Sequence, residues 1–338
     1  MSGPVDPALQ QGADTLLCTC LAVGHGDRVL IITDRATERL ARIVESRAER
    51  LAPTELVVVP SLDERYDDAR AMISAALRRW RPTVTVFAAA DELDRLAWDP
   101  TFYPELDALG ARHAHLPALD EACLAVGMTV DYREVARFSG LLRDRLTTAR
   151  ELHVRNERGT DLRLVTHPER SWTAFDGLYG CAGQGGRLPQ GEVFATPATA
   201  GGVLAASVVG YPFNAATGLL TEPLRIEVSD GSAVAISHPD RDLADRVWRW
   251  LSDAPGGLRV GELALGTSRE LPGITGNLLF DENVPGVHVA LGHPFPELTG
   301  ADWESPVHVD LVVERPDVVV DGAALLVAGD YTDLALTP

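Results

Sequence analysis

The chain has 338 residues, is 46% hydrophobic and carries a formal net charge of −19. That length and apolar content suffice for two ordinary domains, each with its own core. A chain this acidic repels phosphate backbones and anionic lipid, which sets aside nucleic acid and membrane surfaces as partners and predicts a solvated, soluble surface. The first residues, MSGPVDPALQQGADTLL, have no basic stretch leading into an apolar one, and no apolar run is long enough to span a bilayer. Cys18, Cys20, Cys123 and Cys181 are scattered without a CxxC pair. They read as reduced core thiols of a cytoplasmic protein, not as a zinc knuckle or a disulfide framework.

Taken in order, the first half alternates strands with helices. DRVLIITD (27–34), TELVVVPS (54–61) and PTVTVFAAA (82–90) are short apolar runs of the kind buried on both faces. Between them, RATERLARIVESRAERLA and ERYDDARAMISAALRRWR read as helices, the second with Ala69, Met72, Ile73, Ala76 and Leu77 at helical spacing. DYREVARFSGLLRDRLTTA (131–149) is another amphipathic helix. Such alternation predicts a parallel sheet flanked by helices, a Rossmann-like α/β domain over residues 1–150. The glycines of VGHGDRVL precede their strand, whereas a phosphate loop needs them after it. This half therefore reads as scaffold or lid. His113 and His115 in ARHAHLPAL have no acidic neighbours in sequence, which favours a surface or loop role over metal binding.

Past residue 150 the rhythm becomes hairpins. LHVRNERGTDLRLVTH, LRIEVSDGSAVAIS (224–237) and PDVVVDGAALLV each read as strand, turn, strand, the last two through Asp-Gly. One helix, DRDLADRVWRWLSD (240–253), is inserted, with Asp240 as its N-cap. CAGQGGRLPQG (181–191) reads as a tightly turned or mobile loop among these hairpins. Residues 151–338 are thus expected to form an α+β domain rich in antiparallel hairpins.

In this half, polar residues interrupt apolar stretches. They are Glu192 in RLPQGEVFATP, Glu262 in LRVGELALG, His288 in NVPGVHVALG, and His308 with Asp310 in SPVHVDLVV. A carboxylate buried unpaired among Val, Leu and Ala is costly. Three carboxylates and two imidazoles, with no matching run of basic residues, fit cations better than a set of separate ion pairs. Residues two apart on a strand share a face, so His308 and Asp310 can serve one site while Val309, Leu311 and Val313 pack the other side. Mixed His and carboxylate ligands suit zinc, cobalt, manganese or ferrous iron. Three carboxylates plus a bridging hydroxide offset the charge of two divalent ions, and paired metals can clamp a hydrolytic transition state.

The ordered motifs LPQGEVFATP, GELALG, NLLFDENVPGVHVALG and HVDLVV…VVVDG resemble the thermophilic aminopeptidase T family, the M29-type metallopeptidases. The resemblance covers residues 150–335, and the first half in layout only. It implies two divalent metal ions (Zn, Co or Mn) in the C-terminal domain, a small peptide or amide substrate, and a homodimer. Carried over by motif, the ligands are Glu192, Glu262, His288, His308 and Asp310, with Glu192 and Glu262 also catalytic. Glu282 and Asn283 of FDEN would support them from behind. The peptidases carry a tyrosine where this chain has Phe295, seven residues past His288, and His293 is the candidate to replace that phenol in catalysis. The chain is also shorter than the resemblance leads one to expect. Two alternatives stand beside the hydrolase. One is a mononuclear non-heme Fe(II) ring-opening dioxygenase similar to 2,5-dihydroxypyridine dioxygenase, using His288, His308 and Asp310. The other is a specialised biosynthetic relative acting on an unusual amide.

Overall fold

The computed structural model describes residues 6–91 and 93–336. In chain order its strands are β1 (Val29–Thr33), β2 (Thr54–Val58), β3 (Val84–Ala88), β4 (Arg112–His115), β5 (Glu151–Arg155), β6 (Asp161–Val165), β7 (Thr173–Phe175), β8 (Gly185–Arg187) and β9 (Glu192–Ala195). They continue with β10 (Thr199–Val209), β11 (Leu219–Ser229), β12 (Ser232–Ser237), β13 (Val260–Gly266), β14 (Gly286–Gly292), β15 (His308–Val313), β16 (Asp317–Val320), β17 (Ala323–Val327) and β18 (Asp330–Tyr331). Two compact units form, Met1–Arg133 with Gly177–Gln190, and Glu134–Asp176 with Gly191–Pro338. This differs from a single cut at residue 150. The helix Tyr132–Leu146 passes from one unit to the other, because Phe138, Leu142 and Leu146 pack into the second core.

The first unit holds a parallel sheet in the order β2-β1-β3-β4-β8. Both β1 and β3 are buried throughout, as their unbroken apolar runs require. The helix Tyr66–Trp80 buries Ala69, Ile73, Ala76 and Leu77, but Met72 is 42% exposed and lies outside that stripe. Just past β1, the Asp34 carboxylate accepts from the amides of Ala36, Thr37 and Ala90, which links the end of β1 to the segment after β3. None of the four cysteines forms a disulfide. Cys20 and Cys123 are core thiols as expected, whereas Cys18 and Cys181 are exposed.

Two expectations fail here. Residues 185–187 are not a loop among hairpins; they form β8, parallel to β4. Only glycine permits the approach, since a Cβ on Gly185 would stand 2.8 Å from the His113 Cβ, and one on Gly186 would stand 2.4 Å from the Tyr179 hydroxyl. His113 and His115 are likewise not at the surface or in a loop. They lie buried on β4 and have an acidic partner in space. His115 Nε2 lies 3.0 Å from Asp94 Oδ1, His113 Nε2 lies 3.2 Å from His115 Nδ1, and the Thr85 hydroxyl lies 2.8 Å from His113 Nδ1. One set of tautomers satisfies the chain. Thr85 donates to His113, His113 to His115, and His115 to Asp94, whose other oxygen pairs with Arg187 on β8.

Burial, reinforced by His115, holds His113 well below its ordinary 6.5, so that its imidazole is neutral. The unfolded chain therefore takes up a proton below about pH 6.5 that the folded chain refuses. Stability conferred by this pairing is present above that pH and is lost as pH falls. We expect urea midpoints to drop between pH 7 and 5, and His113→Leu to flatten that drop. The variant should also cost about 1–3 kcal/mol at pH 7.5, from the polar atoms it strands. An unchanged slope in the variant would refute the assignment.

The second unit is a thirteen-stranded antiparallel sheet in the order β18-β17-β16-β5-β6-β10-β15-β14-β13-β9-β7, with β11 added to β10 and β12 to β11. The expected Asp-Gly hairpins are present, with Asp230 and Gly231 at φ +51° and +76°, and Asp321 and Gly322 at +48° and +85°. Asp240 caps the helix Arg241–Ser252 by accepting from the amides of Asp242 and Leu243. That helix and the second-unit part of Tyr132–Leu146 cover the aliphatic face of the sheet. Among the described residues no helix is long and apolar enough to cross a membrane.

Candidate metal centre

Four adjacent strands present one polar face. Across them Glu192 pairs with Gly266, Glu262 with Ala290, His288 with Ala264 and Val312, Asp310 with Ala290, and His308 with Gly292. The strand period of two therefore sets Glu192, Glu262, His288, His308 and Asp310 on the same side. The positions between them are Ala264, Gly266, Ala290 and Gly292, whose small side chains leave room above the sheet. On the other face Val193, Leu263, Leu265, Val289, Leu291, Val309, Leu311 and Val313 join the main core. A one-residue slip of β15 would expose Val309, Leu311 and Val313, at roughly 1.5–3 kcal/mol each, and drive His308 and Asp310 into hydrocarbon. The register is strongly specified by that penalty.

The polar atoms converge. His288 Nε2 lies 3.1 Å from Glu192 Oε2 and 3.3 Å from Glu262 Oε1. His308 Nε2 lies 3.1 Å from Asp310 Oδ1 and 3.7 Å from Glu262 Oε2. Glu262 thus spans both imidazoles. Donor atoms of Glu192, Glu262 and His288 all fall within 4.8 Å of one another, close enough to share an ion. His308 Nδ1–H donates to the His293 carbonyl at 2.8 Å, which leaves Nε2 as the atom facing the cluster.

Burial opposes charge on both imidazoles, yet the carboxylates outweigh it. His288 is pushed well above the ordinary histidine range by Glu192 and Glu262, and His308 is raised to about 9 by Asp310 and Glu262. Glu262 is itself raised, chiefly by burial and also by Glu192. Protons here occupy the position a cation would take. Three buried carboxylates and two imidazoles, oxygen and nitrogen donors without thiolate, fit divalent zinc, cobalt, manganese or iron.

The remaining predicted residues surround the cluster. The Phe295 ring lies 4.9 Å from the His308 ring, on a backbone held at φ +50°. His293 stacks edge-on to Phe295, and its Nδ1 bonds the Ser305 carbonyl at 2.9 Å. Glu282 and Asn283 are buried, and the segment they begin packs on Gly266, where a Cβ would stand 2.0 Å from the Val284 carbonyl oxygen. Asn283 Nδ2 donates to the Leu279 carbonyl. Sequence reasoning missed the small residues between the ligands, although the alternation GELALG and GVHVALG carries them. It also missed the His293 carbonyl, a main-chain contact without a side-chain signal.

Such a donor set, on one face of a sheet whose other face is aliphatic, is suited to a metal-dependent enzyme. The chain belongs to the thermophilic metalloprotease (M29) family, which matches over residues 97–325, and is a metallohydrolase of that class. Among curated proteins none matches by sequence. Two of the solved structures that share the fold are informative. Wild-type AmpT from Thermus thermophilus is 20% identical with a TM-score of 0.70, over 96% of this chain and 99% of that one. The 2,5-dihydroxypyridine dioxygenase from Pseudomonas putida is 18% identical with a TM-score of 0.71, over 97% of this chain and 98% of that one.

Proposed function

We propose that this protein is an aminopeptidase-like hydrolase that binds two divalent ions, zinc, cobalt or manganese, through Glu192, Glu262, His288, His308 and Asp310. The observation that carries the reading is the pair of buried glutamates. Two metals use both, whereas a single iron on His288, His308 and Asp310 leaves Glu192 and Glu262 unexplained. When bound, the metals supply Lewis acidity and lower the pKa of water. The protein's own part is placement. The His293 carbonyl holds the His308 tautomer, and the Phe295 ring packs against that imidazole. Glu192 and Glu262 are the groups placed to take a proton from the attacking water, and a free carboxylate oxygen of the site can receive a substrate α-ammonium, which would give exo-specificity. His293 stands beside Phe295 as the candidate to replace the phenol; with its Nδ1–H given to the Ser305 carbonyl and burial holding the ring below its ordinary 6.5, its Nε2 is set to accept a proton. We further propose a cytoplasmic homodimer acting on short peptides or amides.

The second reading is a mononuclear iron dioxygenase or a biosynthetic relative with altered chemistry. Its support is Phe295, a ring without a hydroxyl against His308, together with the equal structural likeness to the Pseudomonas putida dioxygenase. Elemental analysis of protein purified without chelator separates the readings. Two zinc, cobalt or manganese per chain with hydrolysis of aminoacyl amides supports the first; one iron with O₂ uptake supports the second. Phe295→Tyr should keep its metal and gain roughly ten- to hundredfold in peptide turnover, by adding a hydrogen-bond donor at the reacting carbonyl. If metal-loaded protein cleaves no aminoacyl or small amide substrate across a broad panel, the hydrolase reading is wrong.

A further inference from the structure

A cavity of about 320 Å³ opens in the second unit at the end of β14 and β15. His288 and Val312, cross-strand partners on the polar face, both line it. Of the five cluster residues His288 alone lines it, so the cavity adjoins the cluster at that one imidazole-bearing residue. Its wall beyond is apolar, with Leu271, Ile274 and Val284 beside Val312. Val312 and Ile274 also pack with Val208, Tyr211 and Leu278 in a small cluster separate from the main core, which gives the wall a firm backing. The volume is near the lower end of small-molecule sites, room for one or two residues and not for an extended chain.

The charged groups on the rim are mostly committed. Asp281 accepts from the amides of Thr275 and Gly276, Glu314 pairs with Arg158, and Arg269 pairs with Glu134 and lies over the Phe138 ring. Arg315 differs. It is exposed, held at φ +44° just past β15, and its guanidinium makes no hydrogen bond or ion pair among the described residues. Asp330, on the same rim, is the carboxylate left uncommitted. An uncommitted guanidinium at the mouth of an apolar cavity is suited to a carboxylate, which it can grip with two parallel N–H bonds.

We infer that this cavity seats the substrate beyond the scissile bond, and that Arg315 selects short substrates ending in a free carboxylate, dipeptides above all. The inference rests on the metal reading for the place of the scissile bond, but not for the binding of the carboxylate.

The test uses the full-length, metal-loaded protein and a dipeptide analogue that cannot be cleaved, leucyl-leucine with a CH₂–NH link, against its C-terminal amide. Calorimetry should show the carboxylate form binding about tenfold tighter than the amide. In Arg315→Gln the two should bind alike, at the affinity of the amide, with metal content and melting temperature unchanged. Ile274→Trp, which fills the cavity, should weaken both at least tenfold with metal content unchanged. Equal binding of the two forms to the unaltered protein, or a preference that survives Arg315→Gln, overturns the inference. A protein that holds no metal but keeps the preference would instead overturn the metal reading alone.

Discussion

His308→Ala is expected to strip the protein of bound metal and to lower hydrolysis at least a hundredfold. The His308 side chain is 9% exposed and its Nε2 stands between Asp310 and Glu262. Removing it takes away one nitrogen donor and leaves two buried carboxylates facing each other without the imidazole between them. An ion held by fewer neutral donors and a looser pair of carboxylates is bound less tightly. The other proposed ligands keep their backbone places, because each is set by its strand register. Metal per chain after dialysis, with circular dichroism to check folding, reads the result. A folded variant with unaltered stoichiometry would remove His308 from the ligand set.

Chelated protein should lose stability as pH rises, a direction opposite to that set by the His113 network. With its folded-state value near 9 against an ordinary 6.5, His308 contributes stability that is fully present below about pH 6.5 and is lost as pH climbs through 9. The raised His288 acts in the same sense. The loss is on the order of 3 kcal/mol for His308 if its shift is realised in full. Metal-loaded protein should not show it, since the cation replaces the protons and repels none of the carboxylates. The two forms should therefore differ most in melting temperature near pH 9.5 and least near pH 6.5. Metal affinity should rise over the same interval as competing protons leave. Chelated protein that melts as high at pH 9.5 as at 6.5 would mean the imidazoles are not held charged.

The centre was legible because strand geometry is local. His308 and Asp310 two apart, and Val309 and Leu311 between them, fix which side is polar before any partner strand is known. The same rule makes Glu262 stand apart from Leu263 and His288 from Val289. Long aliphatic runs likewise announced the parallel strands, and Asp-Gly announced two of the hairpins.

Neighbourhood was not legible, because pairing across long separations is decided by how whole faces pack and not by any short pattern. Nothing in GEVFATP says that Glu192 will lie beside Gly266, and nothing in ARHAHL shows that Asp94 will meet His115. Burial of the two β4 histidines became possible only when Asp94 and Arg187 closed on them, and Arg187 arrives there because Gly185 and Gly186 let β8 approach. The residue types of the centre and the face of each strand thus follow from the order of amino acids alone. Their meeting in one place, on four strands drawn from residues 192–313, follows from the burial of the aliphatic face beneath them.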